Sequence, residues 1–291
     1  MNNQTLNEIN KRDSDKCYFS LSFSYSTIYF NDGNDYIYQR KVYTLIGCNI
    51  FGVRKYITSI FEDDFEKASD WYNFFQTLKS RGLESVIFSV LPNVDFIRKA
   101  IKLSFPETTV FTSCFDIIDR LFKFFSQSYS CNIYESIKHI FLAKDVNEFN
   151  LKINEFYTDF QVQPFTPNKE IALLNRDEFN EKYKNKNTIY KHANEYFELI
   201  LPLFDLPQNI RKYIYTNNII ESVNSKIQRG FYGRGALPNK ESAVNIIYLN
   251  LIDLENKWKK SKVPNWDKIN NELTTLYYNE IKEYFSFFLL K

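Results

Sequence analysis

From Tyr18 to Phe30 apolar residues alternate with small polar ones, placing Phe19, Leu21, Phe23 and Tyr25 on one face at the two-residue period of a strand. Asp32 to Asn34 supplies a turn, and Tyr36 to Leu45 and Val53 to Ile60 read as two further strands, which makes an antiparallel trio. Helix and strand then alternate. A helix is predicted over about Phe65 to Ser80, a short buried strand over Ser85 to Val90, a helix over Val94 to Leu103 and a strand over Thr108 to Thr112.

From Phe115 to Leu203 the period is helical with no convincing strand, and Ile117, Leu121 and Phe124, then Tyr196, Leu199, Ile200 and Leu203, form apolar faces. Within this stretch Asp145 to Asn187 is polar and Lys/Asn-rich, with Gln161 to Glu170 reading as a loop, and is expected to be its least ordered part. Trp266 to Phe288 predicts a last helix whose apolar side carries Leu273, Leu276, Ile281, Tyr284 and Phe288. That side must dock on the chain's own core or on a second subunit.

The 291 residues suffice for one large or two ordinary domains. No apolar run approaches the roughly 20 residues that span a bilayer and no signal peptide opens the chain, so a cytoplasmic protein is expected. Cys17, Cys48, Cys114 and Cys131 lack metal-ligand spacing, with only His139 and His192 to join them; buried reduced thiols are expected. Aromatics reach 18% and are read as core filling, with Tyr213 and Tyr215 the better candidates for function.

Candidate chemistry concentrates late in the chain, in Tyr215 to Asn224, YTNNIIESVN. On a helix Glu221 shares its face with Asn224, Ser225 and Gln228, whereas Ile220, Val223 and Ile227 form an anchoring stripe. A carboxylate among amides and hydroxyls suits a metal or phosphate site, or simply a solvated helix face. The sequel, Arg229 to Asn239, holds Gly230, Gly233 and Gly235, three of the chain's seven glycines, beside Arg229 and Arg234. Residues 206 to 262 carry ten Lys and Arg against four Asp and Glu, while the whole chain is only +2. A basic segment with a Gly/Arg loop favours a polyanion, DNA or RNA foremost.

These residues resemble the bacterial mutator-type insertion-sequence transposases, whose signature around the last catalytic acid is similar to the stretch Tyr215, Thr216, Asn217, Asn218, Ile219, Ile220, Glu221 and Asn224. The likeness extends to Phe204 to Arg211, Leu237 to Ala243, Ile46 to Lys55, Trp71 with Leu78 to Leu83, and Ala100 to Pro106, in order. It implies an α/β, RNase H-like mixed sheet, three antiparallel strands followed by alternating helix and strand, interrupted by an all-helical insertion before the last core helix. The implied organisation is a polar tail over 1–17, the first part of the core over 18–114, the insertion over 115–204, the final part over 205–260 and a C-terminal helix over 261–291. Only residues 1–17 precede the first strand, so the N-terminal DNA-binding region of full-length relatives is expected to be missing.

The resemblance also implies a DDE chemistry in which two aspartates and a glutamate hold two Mg²⁺ ions for strand transfer at phosphorus. Glu221 matches the glutamate, but the first aspartate position falls on Ser26 and the second on Pro92, and Ile117 replaces the histidine expected after Cys114. A neutral hydroxyl and a proline cannot replace two carboxylates, so a degenerate, inactive protein that retains DNA-backbone binding and no productive Mg²⁺ is expected. The expected DNA contacts are Arg211, Lys212, Asn218, Asn224, Lys226, Arg229, Arg234 and Lys240, probing sequence-indifferent phosphates. The alternatives are an active enzyme built on Asp95, Asp116 and Glu221 as substitute ligands, and a non-catalytic protein scaffold. A homodimer or association with a full-length relative is the expected protein partnership. Asp32 and Asp35 lie near the first hairpin turn, and Asp32 is up to about 20 Å of extended chain from Ser26.

Overall fold

The structure is a computed structural model and describes residues 14–31, 36–126, 133–159, 191, 193–216 and 218–286. Its strands are β1 (Cys17–Asn31), β2 (Ile37–Asn49), β3 (Arg54–Phe61), β4 (Ser85–Leu91) and β5 (Thr109–Thr112). Its helices are α1 (Ala68–Ser80), α2 (Asp95–Ser104), α3 (Cys114–Ser126), α4 (Ile133–Phe141), α5 (Val146–Asp159), α6 (Gln208–Thr216), α7 (Asn218–Phe231), α8 (Lys240–Trp258) and α9 (Trp266–Ser286). The chain divides into two compact units, Met1–Phe111 with Thr216–Lys291, and Thr112–Tyr215.

The first unit is built on a mixed sheet with strand order β3-β2-β1-β4-β5. β1 pairs antiparallel with β2 and β2 antiparallel with β3, while β1 pairs parallel with β4. Leu21 and Phe23 of β1, with Tyr43, Leu45 and Ile57, pack against Trp71, Phe75 and Leu78 of α1 and Ile97 and Ile101 of α2. Ile28 and Phe30, with Val42, Ile46 and Tyr56, pack against Val223 and Ile227 of α7 and Val244, Ile247 and Leu251 of α8. Helices therefore cover both faces of the sheet: Leu21 and Phe23 face one helical layer and Ile28 and Phe30 the other, but the register shift between Tyr18 and Ser20 breaks the alternation, so Tyr18 joins the layer of Leu21 while Phe19, expected beside Leu21 and Phe23, packs on Phe88 and Trp266 instead. Ser20, Ser22, Ser24 and Ser26, the small polar half of that alternation, are buried as thoroughly as the apolar half.

The predicted elements are present with shifted ends. The helix expected from Phe65 begins at Ala68, because Glu62–Asp64 first forms a tight 3₁₀ turn and the carboxylate of Asp70 accepts from the Lys67 backbone N–H. The last helix docks on its own unit: Trp266, Ile269, Leu273 and Ile281 are buried, Trp266 meets the Phe19 ring at 5.3 Å, and Tyr277 meets Phe88 at 5.2 Å where the helix kinks. Its seat is tight at Gly52, where φ is +79° and an added Cβ would lie 2.4 Å from Trp266. The Asp32 to Asn34 turn lies outside the described residues, as do Asp35 and the loop expected over Gln161 to Glu170.

The second unit is helical in its described residues, and its core gathers on Phe197, whose ring has Phe141, Phe149, Phe156 and Tyr157 within 6.1–6.5 Å. The polar stretch from Asp145 begins with an ordered helix, α5, because Asp145 Oδ1 accepts from the Glu148 backbone N–H at 2.9 Å and Phe149 and Phe156 are buried. The unit ends at Tyr215.

Candidate functional site

The strand β1 and the helix α7 meet through a polar contact inside an otherwise apolar layer. Ile220, Val223 and Ile227 bury the predicted stripe of α7, and Asn224, which was expected on the polar face, is drawn in beside them. Its Oδ1 accepts a short hydrogen bond from Ser24 Oγ and a second from Ser26 Oγ at 3.3 Å. Ser24 is 1%, Ser26 7% and Asn224 6% exposed. The three side chains thus satisfy one another in a site closed to water, with no net charge. The backbone of Glu221 lies in α7 one turn before Asn224. The Glu221 and Asn218 side chains lie outside the described residues, as does Asn217.

Pro92 directly follows β4 and is buried. Val90, two residues earlier, pairs in parallel with Ser22, so the same register carries Pro92 level with Ser24. The strand geometry therefore brings Pro92 to the end of the sheet where Ser24 and Ser26 meet α7. Asp95 is exposed at the start of α2, in the first unit. Asp116 is buried in the second unit, where its Oδ2 accepts from Arg120 Nε at 3.0 Å, so that carboxylate serves as the counter-ion of a neighbour one helical turn away. Among the described residues no three His, Cys, Asp or Glu side chains come together as a metal site would require. Cys17, Cys48 and Cys114 are buried thiols, and burial pushes those of Cys17 and Cys114 up to about 12. Cys131 and His192 are outside the described residues.

The Gly/Arg loop has both ends fixed. At its start Gly230 lets α7 approach α8, since a Cβ there would lie 2.5 Å from Asn250 Nδ2. Gly233 and Gly235 adopt φ of 74° and 67° with nothing within 4 Å of an added Cβ, so they are required by the turn of the backbone and not by packing. Arg234 Nε donates to the Gly230 carbonyl at 2.8 Å, closing the end of α7. At the loop's far end Leu237 N–H donates to the Tyr29 carbonyl and Asn31 N–H donates to the Leu237 carbonyl, both at 2.8 Å. Leu237 thereby occupies the edge of β1 beyond the last residues that pair with β4.

Three expected DNA contacts have partners within the protein. Arg211, in the second unit, is 6% exposed, stacks on Phe204 at 4.6 Å and donates through Nη2 to the Lys144 carbonyl at 2.6 Å. Asn224 is held by the two serines. Lys240 lies 3.0 Å from Asp63 and 2.7 Å from Asp64, which compensate its charge. Burial pulls its ammonium down, but the hydrogen bonds to Asp64 and Asp63 outweigh that and leave it above the ordinary lysine value. In each case a partner distant in sequence holds the side chain, which sequence spacing cannot reveal. Arg229 is exposed in the last turn of α7 and Arg234 on the loop, Lys226 is half-buried on α7, and Lys212 is exposed in the second unit.

A further basic feature was absent from the expected contacts. Lys257, Lys259, Lys260 and Lys262 are exposed around the end of α8. Their turn is pinned to the β2–β3 connection by the Val263 N–H to Gly52 carbonyl bond of 2.9 Å and by Arg54, whose guanidinium lies 5.3 Å over Trp258. The run KWKKSK from Lys257 to Lys262 was its visible signal. No helix among the described residues is long and apolar enough to cross a membrane.

With this geometry in place, the comparisons give the lineage. The chain belongs to the mutator family of transposases: the family described as "Transposase, Mutator family" matches residues 2–166 and 165–261. It is 25% identical over 258 residues to the probable transposase for insertion sequence element ISRM3-like of Sinorhizobium fredii, covering 89% of this chain and 59% of that protein. The transposase for insertion sequence element ISRM3 of Rhizobium meliloti gives the same figures, 25%, 89% and 59%. The transposase for insertion sequence element IS256 in transposon Tn4001 of Staphylococcus aureus is 24% identical over 234 residues, 80% of this chain and 54% of that protein. The chain thus spans just over half the length of these relatives. Among solved structures, the Drosophila P element transposase strand transfer complex is matched at 12% identity over 88% of this chain and 69% of that one, with a TM-score of 0.28. A likeness so slight carries no argument about the fold.

Proposed function

We propose that this protein is a degenerate mutator-family transposase that has kept an RNase H-like core and a DNA-backbone contact but has lost metal-dependent strand transfer. The carrying observation is the cluster of Ser24, Ser26 and Asn224, in which the hydroxyl at the first aspartate position donates to a buried amide oxygen. The donor set does not fit a pair of divalent cations. Ser26 offers a neutral hydroxyl already engaged, and Pro92 offers no side-chain ligand. Hard cations need anionic oxygens, and two of the three inherited positions supply none. The strand order β3-β2-β1-β4-β5, with β2 antiparallel to its neighbours, supports the RNase H-like reading, and the helical unit between β5 and α7 supports the inserted-segment reading.

DNA binding rests on the exposed cations Arg229, Arg234 and the lysines of the 257–262 turn, with the half-buried Lys226 beside them on α7. Contacts of this kind address phosphates and carry little sequence information. Two measurements test the proposal. Affinity for duplex DNA must fall with salt, by about a hundredfold for a fourfold rise if about four cations neutralise phosphates; affinity indifferent to salt refutes backbone binding. Nicking and strand-transfer assays with Mg²⁺ or Mn²⁺ must give no product, and product that disappears in Glu221→Ala refutes the loss of catalysis.

A further inference from the structure

Tyr232 is the first residue of the Gly/Arg loop past the end of α7 and has 89% of its surface exposed, more than any other large hydrophobic residue described. Its ring meets no aromatic or cationic partner among the described residues, although its backbone is held firmly. The Tyr232 N–H donates to the Gln228 carbonyl at 2.9 Å, Arg234 closes the helix end two residues on, and Leu237 anchors the loop to β1. The positive-φ glycines Gly233 and Gly235 turn the backbone immediately beyond it, in open space. The loop is thus fixed at both ends while the aromatic ring between them is left in water, an arrangement that presents the ring and does not bury it.

Its position relative to the inherited site is set by the two elements the loop joins. Tyr232 lies eight residues beyond Asn224, about 12 Å along α7 and one residue past its end. At the other end of the loop, Tyr29 is bonded to Leu237 and lies about 10 Å along β1 from Ser26. Tyr29 is itself 55% exposed, and Arg229 and Arg234 flank Tyr232 in sequence. An exposed ring among cations, at a fixed distance from a phosphate-directed surface, has the composition of a base-stacking platform. Resting on the DNA-binding reading above, we infer that Tyr232 stacks on an unpaired base of a single-stranded DNA segment while Arg229 and Arg234 hold the adjoining phosphates.

The test compares a blunt DNA duplex with the same duplex carrying a single-stranded 3′ tail, each fluorescently labelled and titrated with the whole chain at fixed salt. Tyr232→Ala should weaken binding of the tailed DNA about tenfold and leave blunt-duplex affinity unchanged, while Tyr232→Trp should keep the preference for the tail. Because the side chain is exposed, neither substitution disturbs the core. If wild type binds both DNAs and Tyr232→Ala alters neither, or weakens both equally, stacking is overturned and backbone binding stands. If wild type binds neither, both readings fall.

Discussion

Replacing Asn224 with alanine removes the shared acceptor of two buried hydroxyls, Ser24 and Ser26, which are 1% and 7% exposed. A buried hydroxyl left without its partner costs about 1–3 kcal/mol. Ser26 lies nearer the surface and recovers part of that by rotating, so Asn224→Ala should destabilise the first unit by about 3 kcal/mol. Urea unfolding followed by tryptophan fluorescence reports on this unit selectively, because Trp71, Trp258 and Trp266 are all buried within it and are the chain's three tryptophans. With a slope of about 2 kcal/mol/M, the midpoint should fall by about 1.5 M. The double variant with Ser24→Ala distinguishes the hydrogen bond from general damage: once Asn224 is alanine, removing the Ser24 hydroxyl should restore about 1 kcal/mol, because it removes an unsatisfied donor. Strict additivity, or a loss under about 1 kcal/mol for Asn224→Ala, would refute the proposed bonding of the cluster.

Gly52→Ala places a methyl group 2.4 Å from Trp266 at a backbone φ of +79°, and should loosen the last helix and cost at least about 2 kcal/mol, read as a red shift of Trp266 emission. Lys240→Ala should change DNA affinity less than about twofold because Asp63 and Asp64 already compensate that charge, whereas Arg229→Ala should lower affinity and reduce the salt slope by about one. Burial raises the Cys17 and Cys114 thiols from 9.0 to about 12, so the folded chain keeps protons that the unfolded chain releases. Stability is therefore full below pH 9 and falls above it by about 1.4 kcal/mol per pH unit for each thiol until about pH 12; an unfolding midpoint constant from pH 8 to 11 would contradict the assignment. Ser26→Asp with Pro92→Asp should convert negligible Mn²⁺ binding into binding measurable by calorimetry and abolished by Glu221→Ala; no gain in the double variant would argue against those positions as the lost ligands.

Much of the architecture was legible because it is periodic. The alternation in β1 past Phe19 and the Ile220, Val223, Ile227 stripe each state which positions share a face, whereas the register shift between Tyr18 and Ser20 turns Phe19 away from Leu21 and Phe23. The Gly/Arg loop announced its conformation through glycines, two of which do adopt positive φ. What lies opposite a face is another matter. Asn224 looked like a polar-surface neighbour of Glu221, yet the residue that fixes it, Ser24, is 200 positions away in the chain. Arg211 and Lys240 looked like free cations for the same reason, and Phe204 with the Lys144 carbonyl in one case, and Asp63 with Asp64 in the other, claim them.

The sequence by itself determined the lineage and the order of strands and helices, since these are local and read residue by residue. Only the tertiary structure decided that Ser26 is bound to Asn224, that the lysine turn is braced by Arg54 and Gly52, and that Tyr232, unlike Phe231 and Leu237 beside it, stands almost wholly in water. Periodicity fixes the direction in which a side chain points, whereas its partner is chosen by elements that the chain brings together only on folding.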